Sequence, residues 1–286
     1  MSKLKLKDGI YFEFDSETRN YKFDFSNAKV KKVTSRAFPI LLGKNQYNSI
    51  GYGVLERCGF IDFEPIEKWY TVRGAIAEQF AYDYILETYK KYGIDIKMKA
   101  MTPQMFKGYD AFPNNEKFGG VPDIGISEPK DQRAVIEVKS KNIKKYDELI
   151  NNTLYPIEEV LQGKQLAYLS KTNKLLMVWV FFTDKQENLI KEVTNKIKNA
   201  DDFDVSAVTK HIGLSYQDVK ISIVKFNINE KETLEKMDRA YNTLHEKMKS
   251  GLLHETDFYD TELLELNKIL SINEIVSENE ISPLPF

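Results

Sequence analysis

The sequence of 286 residues contains one cysteine, Cys58, and three histidines, His211, His245 and His254. A single cysteine excludes a disulfide framework and a cysteine-ligated metal cluster, and it fits a reducing compartment. The histidines are widely spaced and show no ligand pattern. No apolar run reaches the ~18 residues of a membrane span, and the first residues, MSKLKLKDG, lack the apolar stretch of a signal peptide. We therefore expect a cytoplasmic protein without a membrane partner.

The chain also lacks an excess of either charge, with 41 basic and 43 acidic residues and a net charge of −2. The total therefore gives no indication of a nucleic-acid partner, but the charges are unevenly distributed. Basic residues occur without any acid at 26–55 and again at 139–145, whereas eight acids and one lysine occupy residues 251–286. This distribution is consistent with a basic cleft and an acidic tail, or with ordinary solvated faces.

Hydrophobic periodicity predicts an α/β protein. Residues 9–25, GIYFEFDSETRNYKFDF, alternate apolar and polar side chains on both sides of DSETRN, as in a β-hairpin. The run KLLMVWVFF at 174–182 is continuously apolar, which is typical of a buried central strand. Helices are predicted at 35–42, 49–58, 72–93, 157–170, 187–200, 230–252 and 257–270, and further strands at 94–101, 121–126, 134–138 and 219–228. We expect a central mixed sheet flanked by helices, with an N-terminal β-hairpin and a helical C-terminal extension.

Charged residues lie on a second predicted hairpin, formed by strands 121–126 and 134–138. Its loop, SEPKDQR, has the polar and proline content of a hairpin connection. Asp123 lies near the start of the first strand, and Glu137 and Lys139 are two residues apart along the second, so they share one face. The pairing would bring all three side chains together at one end of the hairpin.

A third acid, Glu78, lies on the predicted helix 72–93, on a face that carries apolar side chains. That face is expected to pack on the sheet, with Gly74 allowing close approach of the helix to a neighbour. Three clustered carboxylates raise one another's pKa unless a cation compensates for their charge. A divalent ion removes this cost, and an all-oxygen ligand set favours Mg²⁺ or Mn²⁺ over zinc.

Four motifs occur in a fixed order along the chain. They are Ser-Arg before a Leu-Gly-x-Asn turn in TSRAFPILLGKN, an R-G-x-x-x-E pattern in VRGAIAE, PD at Pro122–Asp123 followed by EVK at Glu137–Lys139, and a glutamine motif in GKQLAYL. Together they resemble the phage lambda-type exonuclease (viral recombinase) family of PD-(D/E)xK nucleases. The resemblance covers roughly residues 33–182 and implies a restriction-endonuclease-like core.

The resemblance implies a metal-dependent deoxyribonuclease, a 5′–3′ exonuclease that digests linear duplex DNA and leaves 3′ single strands. Asp123 and Glu137 would be the main ligands of one or two Mg²⁺ ions, or of Mn²⁺, together with the Val138 carbonyl oxygen. Glu78 would hold an ion or its water. Such ions supply an activated water, charge neutralisation at the phosphoryl oxygens and help for the leaving oxygen.

The remaining roles that the resemblance implies concern water and phosphate. Lys139 would orient or deprotonate the attacking water and stabilise transition-state charge, and Gln165 would position that water or the phosphate. Ser35, Arg36 and Lys44 would bind the DNA at a terminal 5′ phosphate. The planar fork of donors on an arginine suits a phosphate group.

The resemblance further implies free-ended duplex DNA as substrate, a single-strand annealing protein as partner, and a homo-oligomer, a ring-shaped trimer, in a bacterial cell or phage-infected host. It divides the chain into an N-terminal hairpin extension at 1–28, a nuclease core at 29–228 and a helical C-terminal extension with an acidic tail at 229–286. Two alternatives stay open: a restriction- or repair-type endonuclease on the same core, and a non-catalytic DNA-binding protein. A requirement for DNA ends separates the exonuclease from the endonuclease.

Overall fold

The computed structural model describes residues 4–62, 66–102, 105–106, 110–198 and 203–280, with the backbone alone at 272–280. Its elements fall into two compact units, one formed by Met1–Glu64 with Lys236–Phe286 and the other by Pro65–Glu235. None of the helices in the described ranges is long and apolar enough to cross a membrane.

Strands and helices are mixed along the chain, as predicted for an α/β protein. The strands are β1 (Phe12–Asp15), β2 (Asn20–Phe23), β3 (Val33–Thr34), β4 (Lys97–Ala100), β5 (Phe118–Gly119), β6 (Ile124–Glu128), β7 (Ala134–Asn142), β8 (Lys174–Phe182), β9 (Lys220–Asn227) and β10 (Leu252–His254). The helices are α1 (Ala37–Leu41), α2 (Ile50–Arg57), α3 (Lys68–Lys91), α4 (Ile157–Leu169), α5 (Asp184–Thr194), α6 (Val205–Ile212), α7 (Glu230–Ser250) and α8 (Asp260–Glu280).

The first unit contains the predicted N-terminal hairpin. β1 and β2 pair antiparallel with Phe12 opposite Phe23, and β10 pairs antiparallel with the other edge of β2. The two predicted extensions therefore meet in one three-stranded sheet, while the division of the chain into three functional segments stays a prediction. Helix α2 begins after Ser49 because the Ser49 hydroxyl accepts a hydrogen bond from the Tyr52 N–H at 3.1 Å.

The second unit is built on a five-stranded sheet with the strand order β4-β6-β7-β8-β9. β7 and β8 run parallel, whereas the other neighbouring strands pair antiparallel, so the sheet is mixed as predicted. The run KLLMVWVFF forms β8, which lies between β7 and β9 and is buried over most of its length. The parallel pair requires a crossover connection, and that connection contains α4.

Helices cover both faces of the five-stranded sheet. On one face, Ile76 of α3 packs in an apolar cluster that also contains Ile136 of β7. On the other, Leu166 of α4 packs in a cluster that contains Val135 of β7 and Trp179 of β8. Because side chains alternate along a strand, the β7 residues at two-residue steps after Val135 point to the α4 side. The predicted fold class, a central mixed sheet flanked by helices, is confirmed.

The second predicted hairpin, with strands at 121–126 and 134–138, differs from the prediction at its strand ends. β6 begins at Ile124 rather than Val121, so Asp123 lies just before the strand. β7 continues beyond the predicted end to Asn142, because its parallel pairing with β8 extends as far as Phe182. The additional residues of β7 are polar and extend the strand beyond Lys139.

Two helices begin earlier than predicted, and one was not predicted. α3 starts at Lys68, before the apolar periodicity is established. α5 starts at Asp184 because Thr183 and Gln186 form a reciprocal capping box at its first turn. The predicted end of that helix at 199–200 lies outside the described residues. Helix α6 was missed because its eight residues are short for a periodicity signal.

Two helical glycines of the second unit differ in their surroundings. A Cβ atom at Gly163 on α4 would lie 2.7 Å from Leu175 Cδ1 and 3.1 Å from Met177 Sδ, so this glycine lets α4 approach β8 closely. A Cβ atom at Gly74 on α3 would meet nothing within 4 Å among the described residues. The expectation of a close approach at Gly74 is therefore wrong, because the helix packs through other positions.

We expect Gly163→Ala to lower the free energy of unfolding by about 1–3 kcal/mol, since the added methyl group overpacks the α4–β8 contact. Gly74→Ala should instead raise it by up to about 1 kcal/mol, because alanine removes the entropic cost of a helical glycine. Urea unfolding of the two variants beside the wild type measures both effects. Equal effects of the two substitutions would contradict the close helix–strand contact at Gly163.

Candidate active site

The antiparallel pairing of β6 with β7 sets the position of Asp123. The last paired residues at this end are Ile124 and Ile136, so Asp123 faces the position of Glu137 one step further along. One carboxylate oxygen of Asp123, Oδ2, accepts a hydrogen bond from the Val138 N–H at 2.7 Å. The side chain is therefore held against the neighbouring strand.

Glu137 and Lys139 lie on the same face of β7 and contact each other. Lys139 Nζ lies 2.7 Å from Glu137 Oε1, and Glu137 is only 5% exposed. The second carboxylate oxygen of Glu137, Oε2, is buried and has no hydrogen-bond partner among the residues that the structure describes. A buried acceptor left without a partner costs about 1–3 kcal/mol, more when it is charged. Oε2 is therefore the atom at which a cation would be most favourable.

The negative charges of Glu78, Asp123 and Glu137 repel one another. Burial raises the pKa of Glu78 to about 7, with the charge of Glu137 adding to the effect and Lys139 opposing it. Burial also raises the pKa of Asp123 well above its usual range, followed by the charges of Glu137 and Glu78. The Val138 N–H and Lys139 only partly offset this rise. Glu78 is half-buried and close enough to feel the same field, as expected from its helix position.

Lys139 is kept protonated by its surroundings. Burial disfavours its charged form, but the carboxylates of Glu137 and Asp123 outweigh burial, and the pKa of the ammonium group is raised. The hydrogen bond to Glu137 and the more distant charge of Glu159 act in the same direction. Lys139 is thus a donor in this environment.

The donor set suits a hard divalent cation. Mg²⁺ is usually bound by one or two carboxylates, with water and substrate phosphates completing its coordination. Asp123 and Glu137 supply the carboxylates, and the unpartnered Oε2 of Glu137 offers a buried ligand atom. Within the described residues, no three His, Cys, Asp or Glu side chains are grouped closely enough to hold a metal ion by themselves. The residues fit an ion that relies on few protein ligands.

Gln165 lies on the side of the sheet to which Glu137 and Lys139 point. It is fully buried on α4, the helix that packs on β7 and β8, rather than on an exposed helix surface. The close approach at Gly163, two residues earlier, fixes this part of α4 against β8.

The three predicted phosphate-binding residues belong to the other compact unit. Ser35 is half-buried, whereas Arg36 and Lys44 are exposed. Arg36 occupies the N-cap position of α1, and the Lys44 N–H donates to the Pro39 carbonyl oxygen at 2.8 Å. Exposed cations are accessible to an anionic ligand, and the 5′-phosphate role of these residues stays a prediction.

Arg73 begins the R-G-x-x-x-E pattern, but no role was predicted for it. Arg73 Nε donates to Ser140 Oγ at 3.2 Å, and its guanidinium group forms an ion pair with Glu187 of α5. Asn142 Nδ2 donates to the other Glu187 carboxylate oxygen at 3.1 Å. This network ties α3 and α5 to the end of β7. In the sequence, the only indication of this network is the position of Arg73 within the motif.

A second network was also missed. The Lys141 ammonium group pairs with Glu159 Oε1 on α4, and Trp179 Nε1 donates to Glu159 Oε2 at 2.9 Å. Lys141 follows Lys139 at two-residue spacing, so both ammonium groups lie on one side of β7. The sequence pattern places Lys141 only in the run of basic residues at 139–145.

No protein-family model and no curated protein sequence matches the chain. Solved structures that resemble it include an alkaline exonuclease from Laribacter hongkongensis, with 14% identity and a TM-score of 0.45 over 76% of this chain and 90% of that one. The same exonuclease in complex with dAMP shows 13% identity and a TM-score of 0.46, over 83% and 93%. A phage-related exonuclease from Haemophilus somnus 129PT shows 13% identity and a TM-score of 0.44, over 77% and 94%.

These similar structures are exonucleases, the class that the four motifs resemble.

The raised pKa values predict how stability depends on pH without divalent ions. Glu78 and Asp123 bind protons more tightly in the folded state than in the unfolded chain, so stability falls as the pH rises from 4.5 through about 7. We expect the Tm in EDTA to decrease over this range, and to decrease less in Glu78→Gln.

The control for this measurement is Glu128→Gln, which removes an exposed carboxylate paired with Lys97 on the sheet edge. It should keep the wild-type pH dependence of Tm. Added Mg²⁺ should raise the wild-type Tm more at pH 7 and above than at pH 5, because a cation favours the ionised form of Glu78 and Asp123 and has fewer protons to displace at higher pH. A Glu78→Gln profile identical to that of the wild type would show that this carboxyl group does not have the raised pKa.

Proposed function

We propose that this chain is a metal-dependent DNA exonuclease that hydrolyses phosphodiester bonds from the 5′ ends of linear duplex DNA and leaves 3′ single strands. The observation that supports this most directly is the cluster at the β6–β7 end. There, Asp123 is held by the Val138 N–H, and Lys139 contacts one oxygen of Glu137. The other oxygen of Glu137 is buried and has no hydrogen-bond partner in the described part of the chain. Two carboxylates beside an ammonium group suit a hard cation and phosphodiester hydrolysis.

The acidic residues would hold the cation. Asp123 and Glu137 are the proposed ligands of one or two Mg²⁺ ions, or of Mn²⁺, with the Val138 carbonyl as a further oxygen and Glu78 binding an ion or its water. When bound, such ions neutralise phosphoryl charge and acidify water. The same positive charge would oppose the burial and the repulsion that together raise the pKa of Glu78 and Asp123.

Lys139 and Gln165 would act on the water and the phosphate. Because the pKa of Lys139 is raised, it suits the role of a donor that orients the water and stabilises charge on a phosphoryl oxygen better than that of a base. Gln165, buried on α4, would position the water or the phosphate.

The remaining parts of the proposal concern the DNA end and its surroundings. Ser35, Arg36 and Lys44 would bind the terminal 5′ phosphate. The 3′ strands would pass to a single-strand annealing protein, and a ring-shaped trimer would encircle the duplex, in the cytoplasm of a bacterial cell or phage-infected host. These parts rest on the motif resemblance.

A timed digestion tests the reaction. One plasmid is supplied as a closed circle and as 5′-phosphorylated linear duplex, each with Mg²⁺. We expect the linear form alone to disappear, with progressive release of mononucleotides. Cutting of the circle at a similar rate would support an endonuclease on the same core. No cleavage of either form with Mg²⁺ or Mn²⁺ would support a non-catalytic DNA-binding protein.

Lys139→Ala should lower the cleavage rate by about 10²–10³-fold or more, because it removes the donor beside Glu137 while leaving most DNA contacts. Duplex binding, measured without divalent ions, should change little. Lys97→Ala, which removes an exposed lysine of edge strand β4, is the matched control and should cleave like the wild type. Full cleavage by Lys139→Ala would rule out its catalytic assignment.

Arg36→Ala should abolish any preference for 5′-phosphorylated over 5′-hydroxyl ends, because the planar donor fork is lost. Initial digestion rates on the two linear substrates measure the preference. Arg239→Ala removes an exposed arginine of α7 and should leave the preference unchanged. A persistent preference in Arg36→Ala would place the 5′-phosphate pocket elsewhere.

A further inference from the structure

An aromatic and cationic cluster lies at the beginning of α3. The ring centroids of Trp69 and Tyr70 are 3.9 Å apart, and the planes are inclined by 31°. Arg73 Cζ lies 4.9 Å from the Trp69 ring centroid and 5.4 Å from that of Tyr70. Lys191 Nζ of α5 lies 4.3 Å from the Trp69 ring centroid. Trp69 is half-buried and Tyr70 is 45% exposed, so the cluster can be reached from solvent.

This cluster is connected to the catalytic strand through Arg73. The guanidinium group that lies over Trp69 and Tyr70 also donates to Ser140 Oγ at 3.2 Å and pairs with Glu187. Ser140 directly follows Lys139 on β7. A single arginine side chain therefore spans from the aromatic rings to the strand that carries the proposed catalytic lysine. The rings are held at a fixed position relative to that strand.

A cavity of about 620 Å³ opens beside Trp69, within the roughly 300–1,000 Å³ range of ligand pockets. Its lining consists of Glu67, Lys68, Trp69, Lys191, Thr194 and Asn195. The indole N–H donates to Glu67 Oε2 at 2.7 Å, which fixes the ring orientation. The Lys191 ammonium group forms no ion pair within the described residues, so it is available to an anion.

The combination of ring faces and cations indicates the chemistry of the occupant. An apolar protein segment would leave Lys191 and Arg73 beside a hydrophobic contact, which disfavours their charge. A single nucleic-acid strand presents a ring face and a phosphate within each nucleotide, and aromatic platforms with neighbouring cations bind such strands. The rings of the cluster match the base of a nucleotide, and its cations match the phosphate.

We propose that Trp69, Tyr70 and Lys191 form a stacking subsite for an unpaired base of single-stranded DNA, with Lys191 at the adjacent backbone phosphate. The proposal rests on the proposed function in that DNA is taken as the ligand. The subsite would grip one strand close to the catalytic strand β7. It would do so by base stacking, independently of sequence, because every base has a ring face.

Binding of a fluorescently labelled oligothymidylate in EDTA tests the subsite without cleavage. Trp69→Ala should weaken binding by about 5- to 150-fold, the loss typical of one stacked base. Trp69→Phe should keep most of the affinity, because a ring remains, and it guards against a simple folding defect. Tyr92→Ala removes a 74% exposed aromatic at the other end of α3 and should bind like the wild type.

A matching strand without bases separates stacking from charge attraction. The wild type should bind an abasic deoxyribose-phosphate oligomer about as weakly as Trp69→Ala binds oligothymidylate, and Trp69→Ala should lose little more. Intrinsic fluorescence gives a second readout, because Trp69 and Trp179 are the only two tryptophans and Trp179 is 0% exposed. Quenching by oligothymidylate should therefore disappear in Trp69→Phe.

Equal affinity of wild type and Trp69→Ala for oligothymidylate, or equal wild-type affinity for the abasic strand, would overturn the subsite. If the nuclease proposal fails but the subsite exists, the binding and cleavage measurements give a different combination of results. Stacking without any Mg²⁺-dependent cleavage would refute the enzyme and leave the subsite standing. Cleavage by the wild type, with no effect of Trp69→Ala on binding, would refute the subsite alone.

Discussion

Repulsion among buried and half-buried carboxylates is the constraint on which the site depends. Asp123 and Glu137 meet where β6 pairs with β7, and Glu78 on α3 lies within their field. Lys139 contacts one oxygen of Glu137 and leaves the other without a partner. Stability alone would favour apolar or amide side chains at such buried positions. In the proposed function, these charges are half of an interaction that a divalent cation and a phosphate would complete.

Helix α3 determines how the parts of the site are arranged. Trp69, Arg73 and Glu78 lie on successive turns of this one helix, so their relative positions are fixed by its backbone. Arg73 donates a hydrogen bond to Ser140 and forms an ion pair with Glu187, and these contacts hold the helix in position against β7. A small displacement of α3 would therefore move the aromatic rings and the Glu78 carboxylate together.

The sequence was sufficient to predict contacts that depend on local periodicity. Asp123, Glu137 and Lys139 converge because two-residue alternation and a short hairpin leave few possible registers. Pairs between distant elements, such as Lys141 with Glu159, follow from the docking of α4, which no local pattern encodes.

The same limit applies to the glycines and to strand length. Gly74 and Gly163 look alike in sequence, yet only Gly163 lies at a close helix–strand contact, because the packed face of each helix is set by tertiary structure. β7 was predicted too short because its last residues are strand only through pairing with β8, as Lys141 with Phe181 shows. Motif order predicted the site residues, whereas the contacts around them, such as that of Lys141 with Glu159, required the structure.

The parallel pairing of β7 with β8 has a consequence for biosynthesis. β6 and β7 can form a hairpin as soon as they leave the ribosome, but β7 gains its second neighbour only after α4 and β8 have been synthesised. Until then the acidic side chains of the hairpin remain in water, where their charges are cheaply solvated. The burial that raises the pKa of Asp123 is complete only after the crossover has formed, so the emerging chain lacks the electrostatic environment of the finished protein.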